Sequence, residues 1–359
     1  MMNASRYLFY LTSILGLLSF FQALMIFYLA KSFAWTLSQS LILWFGVLLL
    51  SACYFLGDSL LKITKKAAPM KYIGSLILGA TSIFSLWSLL GNGMFFLGLN
   101  SPTLAWSLVI LNIVFFLGSL YFAKRPYQVT RFIVQLKNAS PLRVVQISDL
   151  HLNGLQSKSE LNIFCEKINQ LKADVIVFTG DLMDLSSELL KEELKILAAL
   201  EAKIAKLAVS GNHDFYFKNY HYPQVLSSLG FYYLDNQRCK IKGMTFIGLP
   251  DKVGKKHKVQ RKKISELLPK KEEKPVFLLD HRPESFKEAV NAGVDFQFSG
   301  HTHWGQIPPW DLLVSLRYQF AKGLKNFKSS QIYTSKGAGL WGPQLRFPGA
   351  KEIVLFEFK

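Results

Sequence analysis

The chain has 359 residues, half of them hydrophobic, and a formal net charge of +18, which leaves room for one large domain and an additional region. Its three cysteines, Cys53, Cys165 and Cys239, form no C-x-x-C pair and no regular framework, so a disulfide scaffold is excluded and reduced, structural thiols are expected. No internal repeat of about 20 to 50 residues is present, which argues against a solenoid, and no tract is of low complexity.

The apolar excess is concentrated in the first third. Residues 7–30, 37–55, 73–97 and 104–122 are four stretches nearly free of charge. Each has about 19 to 25 residues, enough to cross a hydrocarbon core of about 30 Å. Tyr28, Trp35, Trp44 and Tyr121 lie toward stretch ends, as interfacial aromatics do. The first run is longer than a signal peptide's apolar region and no small-x-small site closes it, so it is expected to remain as a span. Lys62, Lys65, Lys66 and Lys71 mark the second connection, and Lys124, Arg125 and Arg131 follow the fourth stretch. By the positive-inside rule both segments face the cytoplasm, together with the amino terminus and the second half of the chain. The expected organisation is four transmembrane helices over 1–123, a juxtamembrane linker over 124–140 and a folded domain over 141–359. The chain is thus expected to be a multi-pass integral membrane protein with its second half cytoplasmic.

Beyond the linker, short β-like runs alternate with helical spacing. Residues 143–147, 175–178, 207–209, 276–279 and 296–298 read as strands. Helices are expected over 160–171, 185–205, 222–229 and 283–292, with a hairpin turn at Lys242-Gly243. This is a βαβ rhythm, closed by a strand over 353–358.

Each of the five runs leads into groups able to bind a metal: Asp149 and His151; Asp181; Asn212 and His213; Asp280 and His281; His301 and His303. Ligands at the carboxyl ends of strands gather along one sheet edge, where loops approach one another. Carboxylate and amide oxygen combined with imidazole nitrogen suits Mn, Fe, Co or Zn better than Ca or Mg. Two cations about 3.5 to 4 Å apart require a ligand that touches both, and a carboxylate can do so. Asp181, on a tight Gly180-Asp181 turn, is the best candidate. So many charged groups at strand ends must be paired or bound to a cation if buried.

The motif order D-x-H, G-D-x-x-D, G-N-H-D, H and G-H-x-H, spread over about 143–359, resembles the calcineurin-like metallophosphoesterase superfamily. The segment 331–339, with Pro343 and Arg346, is similar to a membrane-anchored bacterial subgroup, although Asp280 and Trp304 depart from it. The resemblance implies an α/β fold, a β-sandwich flanked by helices, here preceded by the four-helix transmembrane region. It implies two divalent ions (Mn, Fe or Zn), one held by Asp149, His151, Asp181 and His303, the other by Asp181, Asn212, His281 and His301. It further implies that His213 binds no metal but contacts the phosphoryl group or protonates the leaving group, its ring held by Asp214. Asp280 is a candidate to orient an imidazole, and Trp304 to narrow the mouth or stack on a base.

The implied reaction is hydrolysis of a phosphoester or pyrophosphate. The expected partners are the membrane and a phosphorylated, lipid-linked substrate, with UDP-2,3-diacylglucosamine one member the resemblance allows. A soluble nucleotide phosphodiesterase and a non-enzymatic binding or sensor protein are the alternatives. The apolar and basic stretch 305–330 suits either an interfacial segment that admits an acyl chain or a helix packed on the sheet. The basic clusters at 255–258, 261–263 and 270–271 suit anionic lipid head groups, with nucleic acid the less favoured partner. Glu266, Glu272 and Glu273 interrupt them, which leaves a solvated face as the plain reading.

Overall fold

Four helices account for the apolar first third: α1 (Ala4–Phe33), α2 (Leu37–Leu61), α3 (Ala68–Phe96) and α4 (Pro102–Lys124). They belong to a computed structural model that describes residues 4–99, 101–216, 221–257, 259–269 and 275–359. Lys258, Lys270, Lys271, Glu272 and Glu273 of the basic stretch lie outside the described residues. Three segments are long and apolar enough to cross a membrane, Leu37–Leu61, Lys65–Phe96 and Pro102–Lys124; within α1 the corresponding described part is the shorter Ser19–Phe33. Leu41, Ile42, Phe45 and Leu49 of α2, and Ile110, Ile113, Val114 and Leu117 of α4, are exposed. Helices with such outward apolar faces need an apolar solvent.

Small residues and buried amides hold the helices together. Gly74 of α3 lies so close to α2 that a Cβ there would meet the Tyr54 nitrogen at 2.2 Å. Such close approach is how helices gain packing where there is no water to drive association. Gln22 donates to Ser51 (3.0 Å), and Asn92 donates to the Leu24 carbonyl (2.9 Å). The Asp58 carboxylate joins Lys71 (2.8 Å) and Lys62 (3.1 Å) at the α2–α3 connection.

This first unit also takes in residues 306–311 and 342–349. Ile307 and Leu345 form a core with Ile83 of α3. The Arg346 N–H donates to the Ser119 carbonyl of α4 (3.1 Å), and the Phe347 ring lies 5.0 Å from that of Phe115. The expected contiguous division of the chain therefore omits two short segments that pack with the helices.

The second unit holds two six-stranded sheets. Its strands are β1 (Gln128–Val134), β2 (Leu142–Ile147), β3 (Val175–Phe178), β4 (Ala205–Ala208), β5 (Tyr232–Tyr233), β6 (Gln237–Ile241), β7 (Met244–Gly248), β8 (Val276–Leu279), β9 (Phe296–Ser299), β10 (Gly323–Phe327), β11 (Ser330–Thr334) and β12 (Glu352–Phe358). The sheet orders are β1-β12-β2-β3-β4-β5 and β10-β11-β9-β8-β7-β6. Strands β2 to β5 are mutually parallel, as are β7, β8, β9 and β11. Helices α5 (Lys158–Gln170), α6 (Lys191–Leu197), α7 (Tyr222–Ser228), α8 (Phe286–Ala292) and α9 (Trp310–Arg317) complete the order.

The sheets share one core. Val144, Val177 and Leu207 of the first sheet and Phe246, Phe277 and Phe298 of the second belong to a single buried cluster. Phe277 of β8 stacks on Phe246 at 4.7 Å and meets Phe358 of β12 at 4.8 Å. Phe164, Leu197 and Leu226, from α5, α6 and α7, cover Ile147 and Phe178 on the outer face of the first sheet. Phe286 and Val290 of α8 cover Leu278 of the second. The expected helix-flanked β-sandwich is the observed arrangement.

Two elements differ from expectation. Residues 128–134, placed within the linker although 131–137 could equally open the sheet system, form edge strand β1, because Phe132 stacks on Phe356 (5.6 Å) in register with β12. The helix expected over 185–205 is confined to Lys191–Leu197. Residues 186–190 close a turn instead, with the N–H groups of Leu189 and Leu190 donating to the Ser186 carbonyl, and Lys203 and Ile204 join the backbone of 173–174. Replacing Phe277 by Ala should lower stability by about 3 to 5 kcal/mol, as removal of a fully buried ring does, read as an earlier denaturation midpoint in detergent solution.

Candidate metal centre

The ligand-bearing loops leave the carboxyl ends of β2, β3 and β4 in one sheet and of β8 and β9 in the other. The expected single sheet edge is thus two edges that face each other. Asp149, His151, Asp181, His301 and His303 all have positive φ, between 46° and 71°. Such backbone is costly for residues other than glycine and is found where surrounding structure over-determines it. Gly180 permits one of these close approaches: at φ 94° a Cβ on it would meet the Gly211 nitrogen at 2.4 Å.

Backbone and side-chain bonds cross between the sheets at this level. Gln146 of β2 donates to the Ser299 carbonyl of β9 (2.8 Å). The His301 N–H lies 3.0 and 3.1 Å from the two Asp149 carboxylate oxygens. His281 Nδ1 donates to the Thr179 carbonyl (2.7 Å), which leaves the lone pair on Nε2.

Among the described residues three groups of possible ligands result, one of them His151, Asp184 and His213; the other two are made of expected ligands. Donor atoms of Asp149, His151 and His303 lie within 4.8 Å of one another, and so do those of Asp181, His281 and His301. Asp181 stands between them: its Oδ2 is 3.7 Å from His151 Nε2 and 3.3 Å from His281 Nε2. The seventh expected ligand, Asn212, donates through Nδ2 to the Tyr216 hydroxyl (3.1 Å), and its Oδ1 is buried without a hydrogen-bond partner.

The residues fit divalent cations on several counts. His281 Nε2 is likewise buried and makes no hydrogen bond, although a carboxylate oxygen faces it. His151 Nε2 and His303 Nε2 face each other at 3.0 Å. Two imidazole nitrogens at this distance share either a proton or a cation.

The electrostatics repeat the demand. Burial opposes charge on His281, yet Asp181 and Asp149 push its pKa up to about 10. Burial also opposes the Asp181 carboxylate, but His281, His213 and His151 hold it well below the usual carboxylate range. His301 goes the other way: burial, then His281 and Arg282, holds its pKa well below the usual value, so it is neutral. Protons on imidazoles supply the charge that the carboxylates require; cations on the same lone pairs would supply it equally.

One expected role is corrected. His213 Nδ1 lies 2.8 Å from Asp184 Oδ1, and the same oxygen is 2.9 Å from His151 Nδ1. Asp214 is engaged elsewhere, accepting from the backbone N–H groups of Asp181 (2.9 Å), Leu182 (3.0 Å) and Gly211 (2.8 Å). Its carboxylate fastens two ligand loops together, and Asp184 holds the ring. The signal was present in the sequence: Asp184 is the last residue of the G-D-x-x-D motif.

For Asp280 and Trp304 simple packing is an even alternative, and Asp280 takes it. The Asp280 carboxylate pairs with Arg261 and accepts from Ser285, while His281 is oriented by a backbone carbonyl. Trp304 is half-buried and donates to the Thr334 carbonyl (2.8 Å). Spacing did not single out Arg282 or Tyr318. Arg282 is bound to the buried Asp251 (2.6 Å) and lies 3.1 Å from His301 Nε2, and the Tyr318 hydroxyl is 3.2 Å from the same nitrogen.

Asp184→Asn should lower turnover on the order of 10- to 100-fold with little loss of stability, in line with the loss of an orienting partner. Asp214→Ala should instead destabilise the fold by several kcal/mol, because it strands three N–H donors that each cost about 1 to 3 kcal/mol when buried and unpaired. Parallel activity and melting measurements separate the two; equal effects on both would overturn the distinction.

Residues 142–305 match the sequence model of a family described as calcineurin-like phosphoesterase. A Helicobacter pylori protein named only as an uncharacterized metallophosphoesterase is 34% identical over 216 residues, 59% of this chain and 58% of that one. A Danio rerio transmembrane protein with metallophosphoesterase domain is 28% identical, over 59% of this chain and 52% of its own length. The UDP-2,3-diacylglucosamine pyrophosphatase LpxG of Chlamydia trachomatis is 26% identical, over 60% of this chain and 82% of its own. The chain thus spans about three fifths of the first of these relatives and about half of the second. Its two-sheet half, with ligand groups at facing strand ends, thus carries a domain that matches the calcineurin-like phosphoesterases over residues 142–305 and is similar to proteins named metallophosphoesterases.

Proposed function

We propose that the protein is a membrane-associated, metal-dependent hydrolase of phosphoesters or pyrophosphates. The observation that carries this reading is Asp181, whose Oδ2 lies between His151 Nε2 and His281 Nε2 at the junction of two ligand groups. Asp149, His151, Asp181 and His303 would hold one divalent ion, and Asp181, Asn212, His281 and His301 the other. The mixed oxygen and imidazole donors suit Mn, Fe or Zn. When bound, such a pair supplies Lewis acidity that activates water and neutralises charge on phosphoryl oxygens.

The protein's own residues complete the chemistry. Burial opposes charge on His213, but Asp181 and Asp184 push its pKa up to about 9, the direction that a proton donor requires. With Nδ1 held by Asp184, Nε2 is the nitrogen that passes a proton to the leaving oxygen. Asp214 keeps the loops of Asp181 and Gly211 in register, so the proton donor stays beside the ligands.

A lipid-linked substrate is the reading favoured within this class. Helix α9 has no buried residue and exposes Leu312, Leu313 and Leu316, while Tyr318 just beyond it reaches His301. An apolar helix face that leads to the centre suits an acyl chain, and Arg317, Lys322 and Lys325 suit an anionic head group. The relation to a UDP-2,3-diacylglucosamine pyrophosphatase supports the same substrate class. We place all four apolar helices in the membrane, with the phosphoesterase half on the cytoplasmic side, on the basis of the lysine and arginine distribution.

Asp181→Ala and His301→Ala should each abolish hydrolysis of bis(4-nitrophenyl) phosphate with Mn²⁺; full activity in either variant sinks the metal assignment. Changing Leu312, Leu313 and Leu316 together to Ser should raise KM for phospholipid or nucleotide-linked glycolipid in mixed micelles on the order of tenfold, at about 0.8 kcal/mol per CH₂ withdrawn from lipid. The soluble diester should be cleaved as before. Wild-type activity confined to soluble nucleotides rules out the lipid reading.

A further inference from the structure

His213 is flanked by two aromatic rings that the chemistry above does not use. Tyr216 lies 4.9 Å from it, ring to ring, and Trp341 lies 6.2 Å away at nearly a right angle. Both are largely exposed, Tyr216 at 61% and Trp341 at 53%. Among the described residues beyond α4, the exposed large aromatics are Tyr216, Tyr232, Trp310 and Trp341, so two of four stand beside one histidine.

The Tyr216 ring is held through its hydroxyl, and the backbone leading to Trp341 is anchored. The Tyr216 N–H donates to the His213 carbonyl (3.0 Å), and its hydroxyl accepts from Asn212 (3.1 Å). Trp341 ends a segment laid across the ligand loops, in which the N–H groups of Ala338 and Gly339 donate to the carbonyls of Ser148 and Asp149 at 2.8 Å. Exposed aromatic faces on anchored backbone lose little freedom when they bind, and they favour flat partners.

We propose that Tyr216 and Trp341 form a subsite for a planar ring, such as a nucleobase, carried on the leaving-group side of the substrate. The proposal rests on the reading of His213 as the proton donor to that side. Phosphate oxygens would meet the metal centre, and the ring attached to the departing group would stack on one of the two exposed faces beside His213, Trp341 being the larger. Stacking of this kind is tolerant of base identity, so it selects ring-bearing leaving groups without reading their edges.

The test is equilibrium binding to the full-length, Mn²⁺-loaded protein in detergent, by calorimetry, with adenosine 5′-monophosphate, ribose 5-phosphate and inorganic phosphate. Adenosine monophosphate should bind about tenfold more tightly than the other two, within the range for base–aromatic stacking. Trp341→Ala should erase that preference and leave the inorganic phosphate constant unchanged. Trp341→Phe, which keeps a flat face, should restore most of it. Equal binding of adenosine monophosphate and inorganic phosphate by the wild-type protein overturns the subsite, as does a preference that survives Trp341→Ala. Ribose 5-phosphate binding as tightly as adenosine monophosphate overturns the planar-ring assignment in favour of a sugar. Failure of the hydrolase reading shows separately, as no cleavage of bis(4-nitrophenyl) phosphate whatever the binding constants.

Discussion

Two carboxylates, Asp149 and Asp181, are buried where the carboxyl ends of two sheets meet. A buried carboxylate is tolerable only when positive charge and hydrogen-bond donors surround it. Much of the local architecture answers that need. Imidazoles of His151, His281 and His303 face the oxygens, the His301 N–H reaches Asp149, and the His213 N–H donates to Asp181 at 2.8 Å. The same arrangement requires left-handed backbone at five ligand positions, at a cost of about 1 to 3 kcal/mol each. Strain on that scale persists because the aromatic core between the sheets holds the strand ends at fixed separation.

The metal-binding capacity follows from the same constraint. A site that satisfied its own charges fully would have no use for a cation. Here the opposed nitrogens of His151 and His303 and the unpartnered atoms of His281 and Asn212 leave the balance to be completed by charge from outside the chain. Asp184 has a different task, since it binds the outer nitrogens of two histidines and so turns their inner nitrogens toward the centre. One ring then faces the candidate ligand set, and the other is the proton donor of the proposed reaction.

The apolar helices obey a different solvent. Leucines and isoleucines exposed along α2 and α4 would be a liability in water and are ordinary in lipid. Polar contacts among these helices are few and directed inward, as the Gln22–Ser51 bond shows. Residues 306–311 and 342–349 pack with the helices although the chain on either side of each continues into the two-sheet unit. No hydropathy profile marks them, because each contributes only a few apolar side chains, such as Ile307 and Leu345, to a core built by others.

Strand ends, the motif residues that gather there and the long apolar helices were legible in the sequence because each depends on local pattern: short β-branched runs, motif spacing and unbroken apolar length. The hairpin at Lys242-Gly243 was legible for the same reason, since its turn needs positive φ at both residues and has it. Strand β1 was legible only in part: residues 131–137 allowed either a first strand or a segment along the membrane surface, and Phe132 is committed to a strand by Phe356, more than two hundred residues away in the chain. The extended helix over 185–205 failed because helical composition was outweighed by a turn at Ser186 and by backbone pairing with 173–174. The exchange of roles between Asp184 and Asp214 belongs to the same kind. Both lie in motifs and both are carboxylates near His213, so residue identity allowed either to hold the ring. Only the packed loops decided: they present three backbone N–H donors to Asp214 and two imidazole nitrogens to Asp184, and a buried carboxylate takes the donors within its reach.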